Sequence, residues 1–360
     1  MILVILPGLT LGVVFLAFAG KSSDRVDRDW RQDLLPAATA CGAVAAFGSE
    51  LLSALRSLDQ AGAAALWGGA AVATAVVGRA SVRRGWTRLR AELRRPEILE
   101  AALLAGLTAL CAVLFLTAVL SPPNNVDSLN VHLVRVVRWA QLQSLSAQVG
   151  TSRPPWAEVM MLHLRQLYGS DRPVALVQWA SFVGILVVAA AVAARLGANR
   201  RGQAVSAAFA ASLPLAVLTA SNTKNDLVVA FWLVGLSYWA VLSRQRRLST
   251  SEVALCGAGI ALGLLTKGTF ALAAFPLVIW IAANLARRSP TRAVLARGAV
   301  IVGAVLVLNL GFWMRNVLLE GTPYGDVELL RRALEVDDLL GQGRSAGWPF
   351  FSRAASLMAL

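Results

Sequence analysis

Ten apolar runs, each near the length of a bilayer crossing, alternate with short polar connectors along this chain. A helix needs roughly 20 mostly apolar residues to cross the hydrocarbon core. The runs fall at 2–20, 35–55, 61–78, 99–120, 173–194, 204–220, 226–242, 253–266, 269–286 and 298–314. Backbone in hydrocarbon must satisfy its own polar groups, which leaves helices or closed barrels, and runs this long suit helices. The expected fold is therefore all-α, a polytopic transmembrane helix bundle of about ten spans. Glu50 interrupts the second run, and the eighth is short. No basic residue precedes the first run and no small-x-small site follows it, so it reads as a retained span rather than a cleaved leader.

Composition supports this. Of the 360 residues, 57% are hydrophobic and only 15% charged, whereas soluble domains carry about 25% charged residues. A solenoid or coiled coil would need charged faces that are missing here. The net charge of +14 invites a nucleic-acid reading, but that requires a clustered basic patch. Here the arginines are dispersed between apolar runs, so no nucleic-acid partner is expected. Cys41, Cys111 and Cys256 all lie inside apolar stretches and read as small buried hydrophobes.

The connectors alternate in charge. Those at 21–34, 79–98, 195–203, 243–252 and 287–297 hold 21 of the 34 lysines and arginines, and the short intervening loops hold three, Arg56, Lys224 and Lys267. The positive-inside rule places the arginine-rich connectors in the cytoplasm and the N-terminus outside. Two long segments, 121–172 and 315–360, then face outward, and only they have room for a folded site. The expected organisation is a transmembrane module over 1–320, with its outer loop at 121–172 carrying short amphipathic helices. Residues 321–360 read as an outward segment that begins a further C-terminal region.

The outer loop opens Ser121-Pro122-Pro123-Asn124-Asn125-Val126-Asp127. Two prolines end the span, and Asn-Asn-x-Asp suits a turn or a helix cap. Apolar positions 129, 133, 136, 137 and 140 then fall at helical spacing, which predicts an amphipathic helix lying flat on the membrane surface. His132 and Arg135, three residues apart, share a side. A second helix is expected after Pro154-Pro155, with its Met and Leu positions as packing, and the stretch 141–152 between the two reads as a mobile loop. Three further outer turns carry polar groups: Lys224-Asn225-Asp226, Thr266-Lys267-Gly268 and Met314-Arg315-Asn316. Each residue has a plain alternative. Asp127 could be a helix N-cap, His132 a packed histidine, and Arg135 an anchor for lipid phosphate. Asn225 and Asp226 could be turn and cap residues, Lys267 a snorkelling side chain and Arg315 an interfacial anchor. Together they put carboxylates, an amide and cations on one side of the membrane, opposite loops that carry almost only arginine. A reaction on a lipid-borne phosphate needs that mixture: cations to stabilise a phosphate leaving group and a carboxylate to take the proton of an attacking hydroxyl.

The stretch Pro122-Pro123-Asn124-Asn125-Val126-Asp127-Ser128-Leu129-Asn130-Val131-His132-Leu133-Val134-Arg135 resembles the outer-loop motif of bacterial GT-C-type membrane glycosyltransferases of the protein O-mannosyltransferase and aminoarabinose-transferase superfamily. In that family an Asp after an early span is followed by an aromatic-His-Leu-Pro-Arg pattern. Val131 here replaces the aromatic residue and Val134 the proline. Similar pieces follow in order: Gly169-Ser170-Asp171-Arg172 with Val177-Gln178-Trp179, Asn225-Asp226, Leu264-Leu265-Thr266-Lys267, and Arg315-Asn316 with Gly321-Thr322-Pro323. The resemblance runs from about 99 to 326. It implies inverting transfer of a sugar from a polyprenyl-phosphate sugar to a glycan, lipid or protein acceptor at the outer face of a bacterial inner membrane. Asp127 would be the catalytic base, Lys267 and Arg315 would grip the lipid phosphate, and His132, Arg135, Asn225 and Asp226 would line the substrate site. The motif places no cofactor and no divalent metal. A transporter or flippase, or an inactive membrane scaffold, remains the alternative. A transporter predicts repeated halves, and 1–170 shows no repeat in 171–360.

Overall fold

A computed structural model describes residues 2–21, 30–92, 96–146 and 153–323. Among these, every regular element is a helix. The segment 324–360, where the further outward region was expected, lies outside the described residues.

Helices α1 (Leu6–Lys21), α2 (Leu34–Ala54) and α3 (Gln60–Val77) cross back and forth at the N-terminal end. The connector expected at 79–98 is largely helical: α4 (Arg79–Glu92) lies across the foot of α1. Glycine makes that crossing possible. A Cβ on Gly85 would sit 2.0 Å from the Leu16 carbonyl oxygen, and one on Gly20 would sit 1.8 Å from that of Ser81. Small residues let membrane helices approach backbone to backbone. Helix α5 (Ile98–Leu120) then leads into the long loop.

In that loop a π-turn at Ser128–His132 runs into α6 (Leu133–Leu142), and α7 (Trp156–Tyr168) follows. Helix α6 is amphipathic as expected, but it does not simply lie on lipid. Leu133, Val136 and Trp139 are buried, and α6 packs on α7. Nor is the described start of 141–152 loose: buried Leu145 donates its backbone N–H to Ser53 Oγ of α2 at 2.8 Å, while 147–152 lie outside the described residues. Helix α7 is wedged into the mouth of the bundle, touching α2, α3, α6, α8 and α12. Its His163 is fully buried. Trp67 Nε1 donates to His163 Nδ1 at 2.8 Å, so the proton sits on Nε2 and faces Ser49 Oγ at 2.9 Å.

The C-terminal half comprises α8 (Leu176–Arg195), α9 (Arg200–Ser212), α10 (Pro214–Thr219), α11 (Asp226–Gln245), α12 (Thr250–Thr266), α13 (Phe270–Arg288) and α14 (Thr291–Glu320). Among the described residues eight helices are long and apolar enough to cross a membrane. The other two expected spans take different forms. The run 204–220 is divided at Pro214, which cannot donate to the preceding turn, so α9 stops and α10 restarts with proline at its first position. Helix α12 has 17 residues, about 25 Å, short for a bilayer. Protein covers it instead: α2, α11, α13 and α14 pack around it, and Val253, Cys256, Ala261 and Leu262 are buried. This is a multi-pass membrane protein.

Candidate active site

All seven expected site residues lie in the long loop or near helix ends on the side of the bundle opposite the arginine-rich connectors. Asp127 stands just before the π-turn. It does not cap the helix: Asn125 does, its side-chain oxygen accepting from the Ser128 N–H at 2.9 Å and its carbonyl from Leu129 at 3.2 Å. The Asp127 carboxylate is 57% exposed and faces Lys224 Nζ at 2.6 Å. The hydrogen bond from Lys224 holds the Asp127 carboxyl below its usual range, and the same bond raises the lysine. π-Turns often occur at functional sites. Here the turn is tied to the α10–α11 loop, since Thr223 donates its backbone N–H to Ser128 Oγ at 3.3 Å.

The turn also sends His132 and Arg135 inward to one carboxylate. Glu158 Oε1, on the first turn of α7, accepts from His132 Nδ1 and from Arg135, each at 2.9 Å. Arg135 donates as well to the Arg153 carbonyl at 2.7 Å, and its guanidinium lies 4.8 Å from the Trp139 ring centre. The Arg135 and Glu158 side chains are only 5% and 1% exposed. Burial disfavours the Glu158 anion, yet Arg135 and His132 outweigh it and hold the carboxyl below its usual range. The other Glu158 oxygen is buried with no hydrogen-bond partner among the described residues.

On the facing side, Gln178 of α8 builds the start of α11. Its buried amide oxygen accepts from the N–H groups of Leu227 and Val228 at 2.9 and 3.2 Å, two of the donors a helix start leaves unsatisfied. That fixes the preceding residues. Asn225 donates to the Thr266 carbonyl at 3.2 Å, and Asp226 meets Lys267 Nζ at 2.9 Å. Lys267 follows the last turn of α12 in an extended conformation. Arg315, near the end of α14, grips the Glu50 carboxylate with both terminal nitrogens. The close approach depends on Gly311, where a Cβ would come 2.4 Å from the Glu50 carboxyl carbon.

Four ion pairs result, Asp127–Lys224, Arg135–Glu158, Asp226–Lys267 and Glu50–Arg315. Arg135–Glu158 is closed, and the other three are partly open to solvent. Sequence reasoning took Lys224 for a turn residue, assigned Glu158 no role in the second helix, and set Glu50 aside as an intramembrane charge. Only Glu50 carried a signal, a carboxylate inside an apolar run. Among the described residues no three His, Cys, Asp or Glu side chains cluster as a metal centre would require.

Residues 152–313 match the dolichyl-phosphate-mannose-protein mannosyltransferase family. The matched segment is a little under half of the chain. It begins just before α7 and takes in Glu158, Lys224, Asn225, Asp226 and Lys267; the π-turn with Asp127, His132 and Arg135 precedes it, and Arg315 follows it. Comparison with curated proteins and with solved structures gives no match. The match supports a membrane glycosyltransferase of the GT-C type.

Proposed function

We propose that this protein moves a sugar, with inversion, from a polyprenyl-phosphate sugar to an acceptor hydroxyl at the outer face of a bacterial inner membrane. The arginine bias of the opposite connectors supports the outward orientation. The observation that carries the chemistry is the exposed Asp127–Lys224 pair, with the Asp226–Lys267 and Glu50–Arg315 pairs at the same end of the bundle.

In a single displacement the acceptor oxygen bonds to the anomeric carbon from the face opposite the phosphate, which inverts that centre. Its proton passes to the Asp127 carboxylate. The bond from the anomeric carbon to the phosphate oxygen breaks, and its electron pair leaves with polyprenyl phosphate. Lys224, Lys267 and Arg315 meet the charge that develops there. The ion pairs give an order to these events. A donor phosphate competes for Lys224, and drawing that ammonium away raises the proton affinity of Asp127. The base thus gains strength when the leaving group is bound. The glycan, lipid or protein acceptor would approach over the exposed side of Asp127, while Arg135–Glu158 holds the π-turn and His132 in place.

The test is sugar transfer in membranes, with a panel of polyprenyl-phosphate sugars supplied and release of polyprenyl phosphate followed. Asp127→Asn at equal membrane level should lose about 10²–10⁴ of the rate, the usual worth of a general base. Turnover retained in Asp127→Asn would remove that residue from the base role. Uptake of the donor into sealed vesicles without release of polyprenyl phosphate would instead indicate a transporter.

A further inference from the structure

A cavity of about 1210 Å³ runs between α5, α8 and α9, with its polar part at the arginine-rich end of the bundle. It is separate from the ion pairs described above. Arg195, Arg200, Gln32 and Gln203 line its polar part; Leu107, Val183 and Val187 form an apolar wall that continues to Trp179. Trp179 and Arg195 lie near opposite ends of α8, about 24 Å apart, room for an extended acyl chain.

The polar part has a charge surplus. Arg195 reaches the amide oxygen of Gln32 with one terminal nitrogen, while its Nε is buried without a partner among the described residues. Neither Arg195 nor Arg200 meets a carboxylate among the described residues. Of the lining carboxylates, Glu92 is held by Arg88 and the Trp30 N–H, and Glu100 meets no cation among the described residues. Arg246, also in the lining, is neutralised by Glu252. Four arginines, Arg31, Arg195, Arg200 and Arg246, thus line the cleft against two glutamates, with Arg31 also donating to Gln203 at 2.6 Å and the start of α9 beside them. A helix N-terminus adds to the attraction for an anion.

We propose that this cleft is a binding site for an anionic phospholipid. Arg195 and Arg200 would hold its phosphodiester, and one acyl chain would lie along Leu107, Val183 and Val187. An anionic phospholipid is the favoured occupant because the arginine-rich end faces the cytoplasmic leaflet in the orientation proposed above, whereas the polyprenyl-linked donor is used at the other end. Binding in detergent does not depend on the transferase reading, so failure of either leaves the other standing.

The test is native mass spectrometry of the full chain in mild detergent, titrated with dioleoyl-phosphatidylglycerol or dioleoyl-phosphatidylcholine. Phosphatidylglycerol adducts should exceed phosphatidylcholine adducts by at least about fivefold, the effect of one basic residue at an anionic surface. Arg195→Ala with Arg200→Ala should abolish that preference, and Arg83→Ala with Arg84→Ala, an equal loss of charge on α4, should keep it. Val187→Trp, which fills the apolar wall and leaves the arginines, should reduce adducts of both lipids. Equal binding of the two lipids, or a preference that survives in the Arg195/Arg200 variant, would overturn the proposal. So would displacement of phosphatidylglycerol by equimolar undecaprenyl phosphate, which would assign the cleft to the polyprenyl lipid.

Discussion

Glu158→Gln isolates the buried pair beneath the π-turn. The substitution keeps the shape of the side chain and one acceptor oxygen but removes the charge that answers Arg135. With both side chains at or below 5% exposure, Arg135 would lose its countercharge and be left with neutral partners, the Arg153 carbonyl and the Trp139 face among them. Breaking a buried pair by removing one partner costs about 3–5 kcal/mol. The retained amide oxygen, still open to His132 and to the guanidinium, sets the expectation at about 3 kcal/mol, the low end of that range. Reversible unfolding in mixed micelles, followed by the fluorescence of the 11 tryptophans, would measure it. A double-mutant cycle with Arg135→Met gives the sharper readout. Much of the cost of Glu158→Gln is the uncompensated guanidinium, so the double variant should be destabilised by about 2 kcal/mol less than the sum of the singles. Additivity to within about 0.5 kcal/mol would mean that the two groups do not depend on one another, and the reasoning would be refuted.

Lys224→Met removes the main cause of the lowered Asp127 pKa, so the acid limb of the kcat/KM profile should move to higher pH; an unmoved limb would show that Lys224 does not tune the base. Burial pushes His163 down from 6.5 to about 4. The unfolded chain therefore binds a proton that the folded one refuses, and stability that is complete above pH 6.5 should fall as pH drops toward 4. At about 1.4 kcal/mol per unit the loss is on the order of 3 kcal/mol, and His163→Gln should flatten that part of the profile in thermal unfolding. Gly85→Val forces apart two backbones, because the Leu16 carbonyl cannot yield as a side chain would. A loss of about 1–3 kcal/mol is expected, and unchanged thermal stability would argue against the tight α1–α4 crossing.

The bundle was legible because the bilayer demands long apolar helices, and eight of the expected spans return as such. The two that take other forms did so for reasons outside a hydropathy count. Pro214 divided one, and the other could be short because protein surrounds it. The common side of the seven candidate residues was legible because sidedness needs only the order of the spans. Their partners were not. The pairing of Asp127 with Lys224 joins positions 97 apart, and that of Arg315 with Glu50 joins positions 265 apart. No periodicity connects residues on separate helix ends. Glu158 was hidden for another reason: a carboxylate on the first turn of an amphipathic helix looks like ordinary dipole compensation, and only the fold turns it inward.

Helix α7 and its neutral His163 bear on the energetics of turnover. Together with Trp67, Ser49 and Met161 they put a buried, uncharged floor beneath the ion pairs. A proton taken up by Asp127 therefore has its open route on the side from which the acceptor came. In the proposed reaction every charge that moves would move on one side of the low-dielectric slab, so the cycle would carry no current. The rate should be indifferent to the transmembrane voltage, unlike that of a carrier, which moves charge through the field.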